Sequence, residues 1–400
     1  MTVDLLRALA AGTMGWSRYA NTLRITPVTR GETENSQDMD LSDIEMHDLL
    51  SSALGSMMNI RITIWEIPGN DPAWERNAIC DYLSALPHLD DLQLKITGIV
   101  DFSFPQLSHL SKFKIKTHRW WGFVGANATL QPSIVEGISQ LIARNCLTSL
   151  YLDGPGEWGE IWTRLRTDTG HPRYLTEINT RIVTSDLLEY LASYSGVRKL
   201  TLNFPDGGSR NASDRLADIF FETVLPQHAA SLMELSCPAG YESRWSFGTH
   251  NLDAISRLQK LRALQMSINA GEMTRIASQP GPSSVGMGIS VQAVQSDIDL
   301  VVASLLRAVA ALPALRKLTI LAADAESNRD LTGDGITHHA PAVTRAIVAA
   351  IQNFISRTPS PAIVNAGYRK YELKPVDLAR ASGREPDVLL TYQETTNRRR

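Results

Sequence analysis

The sequence has 400 residues, of which 43% are hydrophobic and 20% are charged, and its formal net charge is −3 at pH 7. These proportions are typical of a soluble, folded chain with enough apolar material for a large core. The slight acidity argues against binding nucleic acid or an acidic membrane through overall charge. The three cysteines, Cys80, Cys146 and Cys237, are too few and too scattered for a disulfide framework or a zinc site, so we expect buried free thiols in a reducing compartment.

The N-terminal segment 1–16, "MTVDLLRALAAGTMGW", places Asp4 before its apolar stretch and has no basic start. It therefore does not resemble a secretory signal. The sequence contains no run of about 18 apolar residues, so no transmembrane helix is predicted. A cytoplasmic or nuclear location and no membrane partner are expected.

Short segments with the pattern L-x-x-L-x-L recur along the chain. The final L-x-L predicts a short strand whose alternate side chains point into a core, so Leu94, Leu152 and Leu202 should be buried. Weaker copies stand at 21–25, 58–62, 175–178 and 368–373. The clearest copies are "LPHLDDLQL" (86–94), "LSHLSKFKI" (107–115), "LTSLYL" (147–152), "VRKLTL" (197–202), "LMELSC" (232–237), "LQKLRALQM" (258–266) and "LPALRKLTI" (312–320).

Segments with helical periodicity lie between these strands. Strands that alternate with helices along one chain favour a parallel sheet covered by helices. The predicted fold is therefore α/β: a leucine-rich-repeat solenoid with a parallel sheet on its concave face and helices on its convex face. The predicted helices are 42–57, 77–86, 133–145, 185–194, 212–225, 296–312 and 341–355.

The spacing of the strand units is uneven, from roughly 21 to roughly 54 residues, whereas regular leucine-rich repeats have 20–29 residues. We therefore expect an irregular solenoid over residues 1–375. Polar, Gly- and Pro-containing insertions are expected at about 268–292 and 322–338. The segment 376–400 is expected to be a flexible C-terminal tail.

The sequence has no recognisable catalytic signature. It lacks G-x-S-x-G, a P-loop and G-x-G-x-x-G. Asp334, His338 and His339 stand close together, but adjacent histidines on a helix cannot both face one metal. We therefore predict no catalytic, cofactor-binding or metal-binding residues and expect a protein that is not an enzyme.

Basic residues flank the core positions of the N-terminal strands. One interpretation is an ordinary solvated strand face, and the other is a basic patch for an acidic peptide or protein. The basic residues assigned to this face are Arg61, Lys95, Lys112, Lys114 and Lys116.

Tryptophans follow several strands, including Trp120, Trp121, Trp158 and Trp245. Each ring could cap the core locally. The alternative is an aromatic rim that binds a partner, because Trp and Tyr dominate the energetics of many interfaces.

The units "LPHLDDLQL" and "LPALRKLTI" resemble the L-P-x-L-x-x-L-x-L units of fungal F-box/leucine-rich-repeat proteins. The segment "GWSRYANTLRITP" (15–27) is similar to the Trp-x-[Arg/Lys]-[Phe/Tyr]-Ala helix that leads from the F-box into the first strand of that family. The resemblance implies a non-catalytic scaffold for protein recognition, like the substrate-receptor part of a ubiquitin-ligase subunit.

The helical F-box that docks a ligase adaptor would precede Trp16, where this sequence has fifteen residues. The F-box is therefore expected to be absent, and the adaptor is a partner only if an upstream F-box is missing from this chain. The alternative is a cytosolic leucine-rich-repeat regulator or inhibitor, for example of a small GTPase or an enzyme, without a ligase link.

Overall fold

The computed structural model divides the chain into two compact units, Met1–Ile182 and Val183–Arg400. Both units are α/β, and each contains parallel strands connected through helices. In the part of the chain that the structure describes, every helix is too short or too polar to cross a bilayer. The described residues are 3–26, 41–98, 104, 106–118, 132–154, 158–167, 174–270, 274–275, 291–292, 294–329, 338–376 and 389–395.

The first unit contains six described strands that pair in chain order, all parallel. Parallel neighbours need a crossover connection, and helices occupy several of these connections. The strands are β1 (Thr22–Ile25), β2 (Ile62–Pro68), β3 (Asp91–Thr97), β4 (Lys112–His118), β5 (Ser149–Asp153) and β6 (Glu177–Thr180). The helices are α1 (Val3–Ala10), α2 (Asp43–Gly55), α3 (Ala73–Ala85), α4 (Pro132–Arg144) and α5 (Gly159–Thr167).

Buried side chains of the first unit line up across the sheet. Leu94 is 2% exposed and Leu152 is 0% exposed, as the L-x-L pattern predicts. They belong to a register row with Ile25, Trp65 and Ile115. A second buried row lies two residues earlier on each strand and contains Leu23, Thr63, Leu92, Phe113, Leu150 and Ile178.

The predicted register of β2 is wrong. The pattern at 58–62 assigned Ile60 and Ile62 to the core, but Ile62 is half-exposed, and Thr63 and Trp65 occupy the buried rows. A polar threonine stands where the neighbouring strands carry leucine or phenylalanine, which hid the true alternation. Arg61 therefore lies one residue before β2.

The main sheet of the second unit has the order β7-β8-β9-β12-β14-β15-β16-β13. Its first five strands in this order, β7, β8, β9, β12 and β14, pair in parallel. Its strands are β7 (Lys199–Leu202), β8 (Glu234–Ser236), β9 (Ala263–Ile268), β12 (Lys317–Ala322), β13 (Ile355–Ser356), β14 (Ile363–Ala366), β15 (Arg369–Pro375) and β16 (Leu390–Glu394). A separate antiparallel pair consists of β10 (Thr274–Arg275) and β11 (Val291–Gln292). Leu202, on β7, is 0% exposed, as predicted.

The helices of the second unit pack against its sheet through buried aliphatic and aromatic residues. They are α6 (Ser185–Ala192), α7 (Arg210–Ile219), a π-helical turn (Phe220–Val224), α8 (Leu225–His228), α9 (Leu252–Ser256), α10 (Gln295–Ala310) and α11 (His339–Asn353).

The C-terminal part differs from the expected parallel repeat. Residues 369–373 of the segment that the sequence assigns to a repeat strand belong to β15, which is antiparallel to β14. Tyr368, expected in the core, is fully exposed at the hairpin tip, beside Gly367. Within the tail 376–400, which the sequence predicts to be flexible, the described residues 390–394 form β16 and pair with β15, whereas 377–388 and 396–400 lie outside the described residues.

The three cysteines are free thiols, and Cys80 and Cys237 are buried as expected. Burial raises the pKa of the Cys80 thiol to about 12, so it carries little thiolate at neutral pH. Cys146 is exposed, which corrects the expectation for that residue.

Candidate partner-binding face

The first unit presents one side of its sheet with half-exposed side chains, which we call the open face. On β2, β3 and β5, half-exposed and buried residues alternate strictly. The buried set forms the core, so the alternate set points to the other side of the sheet. The register then determines which side chains are neighbours.

The strand register arranges the side chains of the open face in three rows. The first row is Thr22, Ile62, Asp91, Lys112, Ser149 and Glu177. The second row is Arg24, Ile64, Gln93, Lys114, Tyr151 and Asn179. The third row is Glu66, Lys95, Lys116 and Asp153.

Three lysines form a column along β4 on this face. Lys112, Lys114 and Lys116 alternate with Phe113 and Ile115, which are 1% and 0% exposed. The alternation therefore places the three predicted lysines together. Whether they bind a partner remains a prediction.

Acidic residues on the flanking strands compensate part of the basic charge. Glu66 lies 2.7 Å from the guanidinium of Arg24 and 3.6 Å from the ammonium of Lys95. Asp153 lies 3.8 Å from the ammonium of Lys116. The open face therefore carries both positive and negative side chains and is not a purely basic stripe. The carboxylates come from neighbouring strands, so the sequence of β4 alone does not show them.

The aromatic ring of Tyr151 contacts the ammonium groups of two lysines. The ammonium groups of Lys114 and Lys116 lie 4.8 and 5.2 Å from its ring centroid, which is cation–π distance. The Tyr151 hydroxyl also donates a hydrogen bond of 3.1 Å to Asp153. Two like charges are thus kept close to one aromatic ring and one carboxylate.

The electrostatics of the face follow from these contacts. The pKa of Lys114 lies below its ordinary value, first because of burial and then because of the charge on Lys116. The pKa of Glu66 is lowered chiefly by the hydrogen bond from Arg24. Burial raises the pKa of Asp91, whose carboxylate accepts a hydrogen bond of 3.3 Å from Gln93. Lys114 is thus the cation of this face whose charge the surroundings disfavour.

The remaining residues predicted for partner binding do not all join this face. Lys95 lies in the third row, whereas Arg61 is exposed just before β2 and precedes the paired rows. Trp158 and Trp245 are both 0% exposed. These two rings cap the core locally, and their burial rules them out of an exposed aromatic rim.

The other two residues of the predicted rim, Trp120 and Trp121, lie outside the described residues. Tyr151 and Asp153 are members of the open face that the sequence interpretation missed. The sequence does indicate their position, because both occupy alternate positions of the strand segment "SLYLD" beside the predicted core leucines.

The histidines considered for a metal site have different surroundings. His339 is 3% exposed, and its Nε2 lies 3.0 Å from Oε1 of Glu242, which also accepts a hydrogen bond from the backbone of Ala270. His338 is exposed, and Asp334 lies outside the described residues. Within the described ranges, no three His, Cys, Asp or Glu side chains come together as ligands for a metal ion.

Comparison with known proteins does not assign this chain to a family. No protein-family model matches the sequence, and no curated protein matches it.

Proposed function

We propose that this protein is a non-catalytic scaffold for protein recognition and that the open face of the first unit contacts the partner. In this proposal the fold is an irregular leucine-rich-repeat solenoid whose concave side is that face. Helices alternating with in-register parallel strands, with leucines at the strand cores, support this assignment.

The observation that carries the proposal is the set of three side-chain rows on the open face. Polar, charged and aromatic groups recur over six parallel strands, so a partner could meet many of them at once. Several of these groups are held in place, as the contacts of Tyr151 with Lys114 and Lys116 illustrate. Preorganised side chains lose less conformational entropy on binding, which favours recognition.

The role of substrate receptor in a ubiquitin ligase rests on the resemblance of 86–94 and 312–320 to F-box/leucine-rich-repeat units. In both segments, the leucines that carry the resemblance are buried in strands and in the turns before them. The docking of a ligase adaptor is a separate part of the proposal, because it needs an F-box in addition to the recognition face.

Affinity capture from lysate, quantified by mass spectrometry, tests the proposal. The variant Lys112→Glu/Lys114→Glu/Lys116→Glu reverses three charges on the open face. The control Arg7→Glu/Arg144→Glu/Arg166→Glu reverses three charges on the helices α1, α4 and α5. Circular dichroism first establishes that both variants fold.

We expect wild type and the helix variant to enrich the same specific proteins and the open-face variant to lose them. Equal enrichment by all three would show that the open face is an ordinary solvated sheet surface.

A further inference from the structure

The lysine column on β4 contains two kinds of lysine. Lys116 has the carboxylate of Asp153 at 3.8 Å, on the neighbouring strand. Among the described residues, no carboxylate oxygen lies within 4 Å of the ammonium groups of Lys112 or Lys114. Asp91, the register neighbour of Lys112, accepts a hydrogen bond from Gln93 and attracts both lysines only from beyond 4 Å.

Lys114 has no described carboxylate within 4 Å of its ammonium group, although the charges of Asp91 and Asp153 favour its protonated form from farther away. Its side chain lies between Gln93 and Tyr151 in the second row, and its ammonium group lies 4.8 Å from the Tyr151 ring centroid. Burial and the nearby charge of Lys116 disfavour its protonated form, and together they outweigh the opposing effect of the two carboxylates, so its pKa is lowered. An anion placed beside Lys114 would offset both effects.

The spacing of Lys112 and Lys114 along β4 indicates how the carboxylates of a binding partner would be arranged. Residues two apart on one face of a strand are separated by about 6.5 Å. A second extended chain running along β4 would present its own alternate side chains at the same spacing. Carboxylates on alternate residues would then meet Lys112 and Lys114 together, whereas consecutive acids would point to opposite sides of the chain.

We propose that Lys112 and Lys114 bind an extended acidic segment of a partner protein in which Asp or Glu occupies alternate positions. This inference deepens the proposed function and rests on it. Lys116 and Lys95 contribute less, because each already has a carboxylate within 4 Å.

Fluorescence anisotropy with synthetic peptides and the full chain tests this inference. One labelled peptide carries three aspartates at alternate positions among threonines. The second has the same composition with the three aspartates consecutive, and the third replaces the central aspartate of the first with phosphoserine. Each is titrated at low and at physiological ionic strength.

We expect the alternating peptide to bind at least about tenfold tighter than the consecutive one, since a lost charge contact of about 1.4 kcal/mol corresponds to a factor of ten. Lys112→Gln/Lys114→Gln should remove that preference. Lys116→Gln should change the affinity by less than about threefold, because its charge is already matched. The helix control Arg144→Glu/Arg166→Glu should leave the affinity unchanged.

Equal affinities for the alternating and consecutive peptides would overturn the inference. So would a clear preference for the phosphoserine peptide, since the column would then recognise phosphate. Either result leaves the proposed function standing if the open-face variant still loses its partners in lysate, so failure of the inference and failure of the proposed function are distinguishable.

Discussion

The backbone N–H of Leu110 donates a hydrogen bond of 2.7 Å to Oδ1 of Asn145, a side chain with 0% exposure. The amide nitrogen of Asn145 donates in turn to the carbonyl oxygens of Leu107 and Leu141, at 2.8 and 2.7 Å. One buried amide thus ties the end of α4 to the turn before β4. Such turns carry unpaired backbone groups, and a buried asparagine satisfies them without water.

Replacing this amide should therefore destabilise the first unit strongly. We expect Asn145→Leu to lower the free energy of unfolding by about 3 kcal/mol, because a backbone donor and two carbonyl groups lose their partner inside the core. Urea denaturation followed by circular dichroism measures the change. Asn77→Ala, at an exposed position of α3, serves as control and should change stability by less than about 0.5 kcal/mol. Equal effects of the two substitutions would contradict this role.

Replacing Thr63 should stabilise the first unit, in contrast to replacing Asn145. Its side chain is 0% exposed in a row that otherwise contains Leu, Phe and Ile, and its hydroxyl has no hydrogen-bond partner among the described residues. Thr63→Val keeps the shape and removes an unsatisfied polar group, so we expect a gain of about 1 kcal/mol in unfolding free energy. The exposed Thr22→Val provides the matched control. A loss of stability in Thr63→Val would mean that the hydroxyl has a role in the fold.

His228 should make the stability of the second unit depend on pH. Its Nδ1 accepts a hydrogen bond of 3.4 Å from the backbone of Val197, and its Nε2 lies 3.0 Å from the carbonyl oxygen of Leu191, to which it donates. This pairing needs the neutral ring, and burial lowers the pKa of His228 below its ordinary value of 6.5. The unfolded chain therefore binds the proton more readily than the folded one.

The contribution of neutral His228 is complete above pH 6.5 and is lost as the pH falls from 6.5 through the lowered pKa of the folded state. His228→Gln can still accept from Val197 and donate to Leu191 without titrating. Denaturation at several pH values should show a smaller loss of stability on acidification for His228→Gln than for wild type. Parallel pH profiles would refute the assignment.

Phe204 adopts the left-handed backbone conformation that is typical of glycine. Its φ is +56°, and its side chain is 53% exposed directly before Pro205. Left-handed backbone costs a bulky residue about 1–2 kcal/mol, whereas asparagine tolerates it. We expect Phe204→Asn to raise the melting temperature, while Tyr19→Asn, another exposed aromatic position, should not. A fall in melting temperature for Phe204→Asn would show that the ring stabilises the fold.

Much of the architecture could be predicted from spacing alone. The step from three residues to two in "LPHLDDLQL" marks where a turn becomes a strand, and Leu89, Leu92 and Leu94 are all buried there. The leucine-repeat pattern gave wrong assignments where the polarity of a residue does not match its burial. Thr63 is a polar residue at a core position, and Tyr368 is an apolar residue at an exposed turn.

The composition of the open face was only partly predictable for a similar reason. Alternation within β4 identifies its three lysines, but the partner of Lys116 is Asp153, 37 positions later in the chain. Such pairs depend on strand register, which short repeats of uneven spacing do not determine.

The most direct test of the central claim is photo-crosslinking from the open face. A photoreactive amino acid replaces Ser149, which lies beside Lys112 in the first row, or Ser52, which is exposed on α2. If the open face contacts the partner, the probe at 149 should yield a crosslinked protein that the probe at 52 does not. Crosslinking from 52 and not from 149 would place recognition on the helical side and contradict the account.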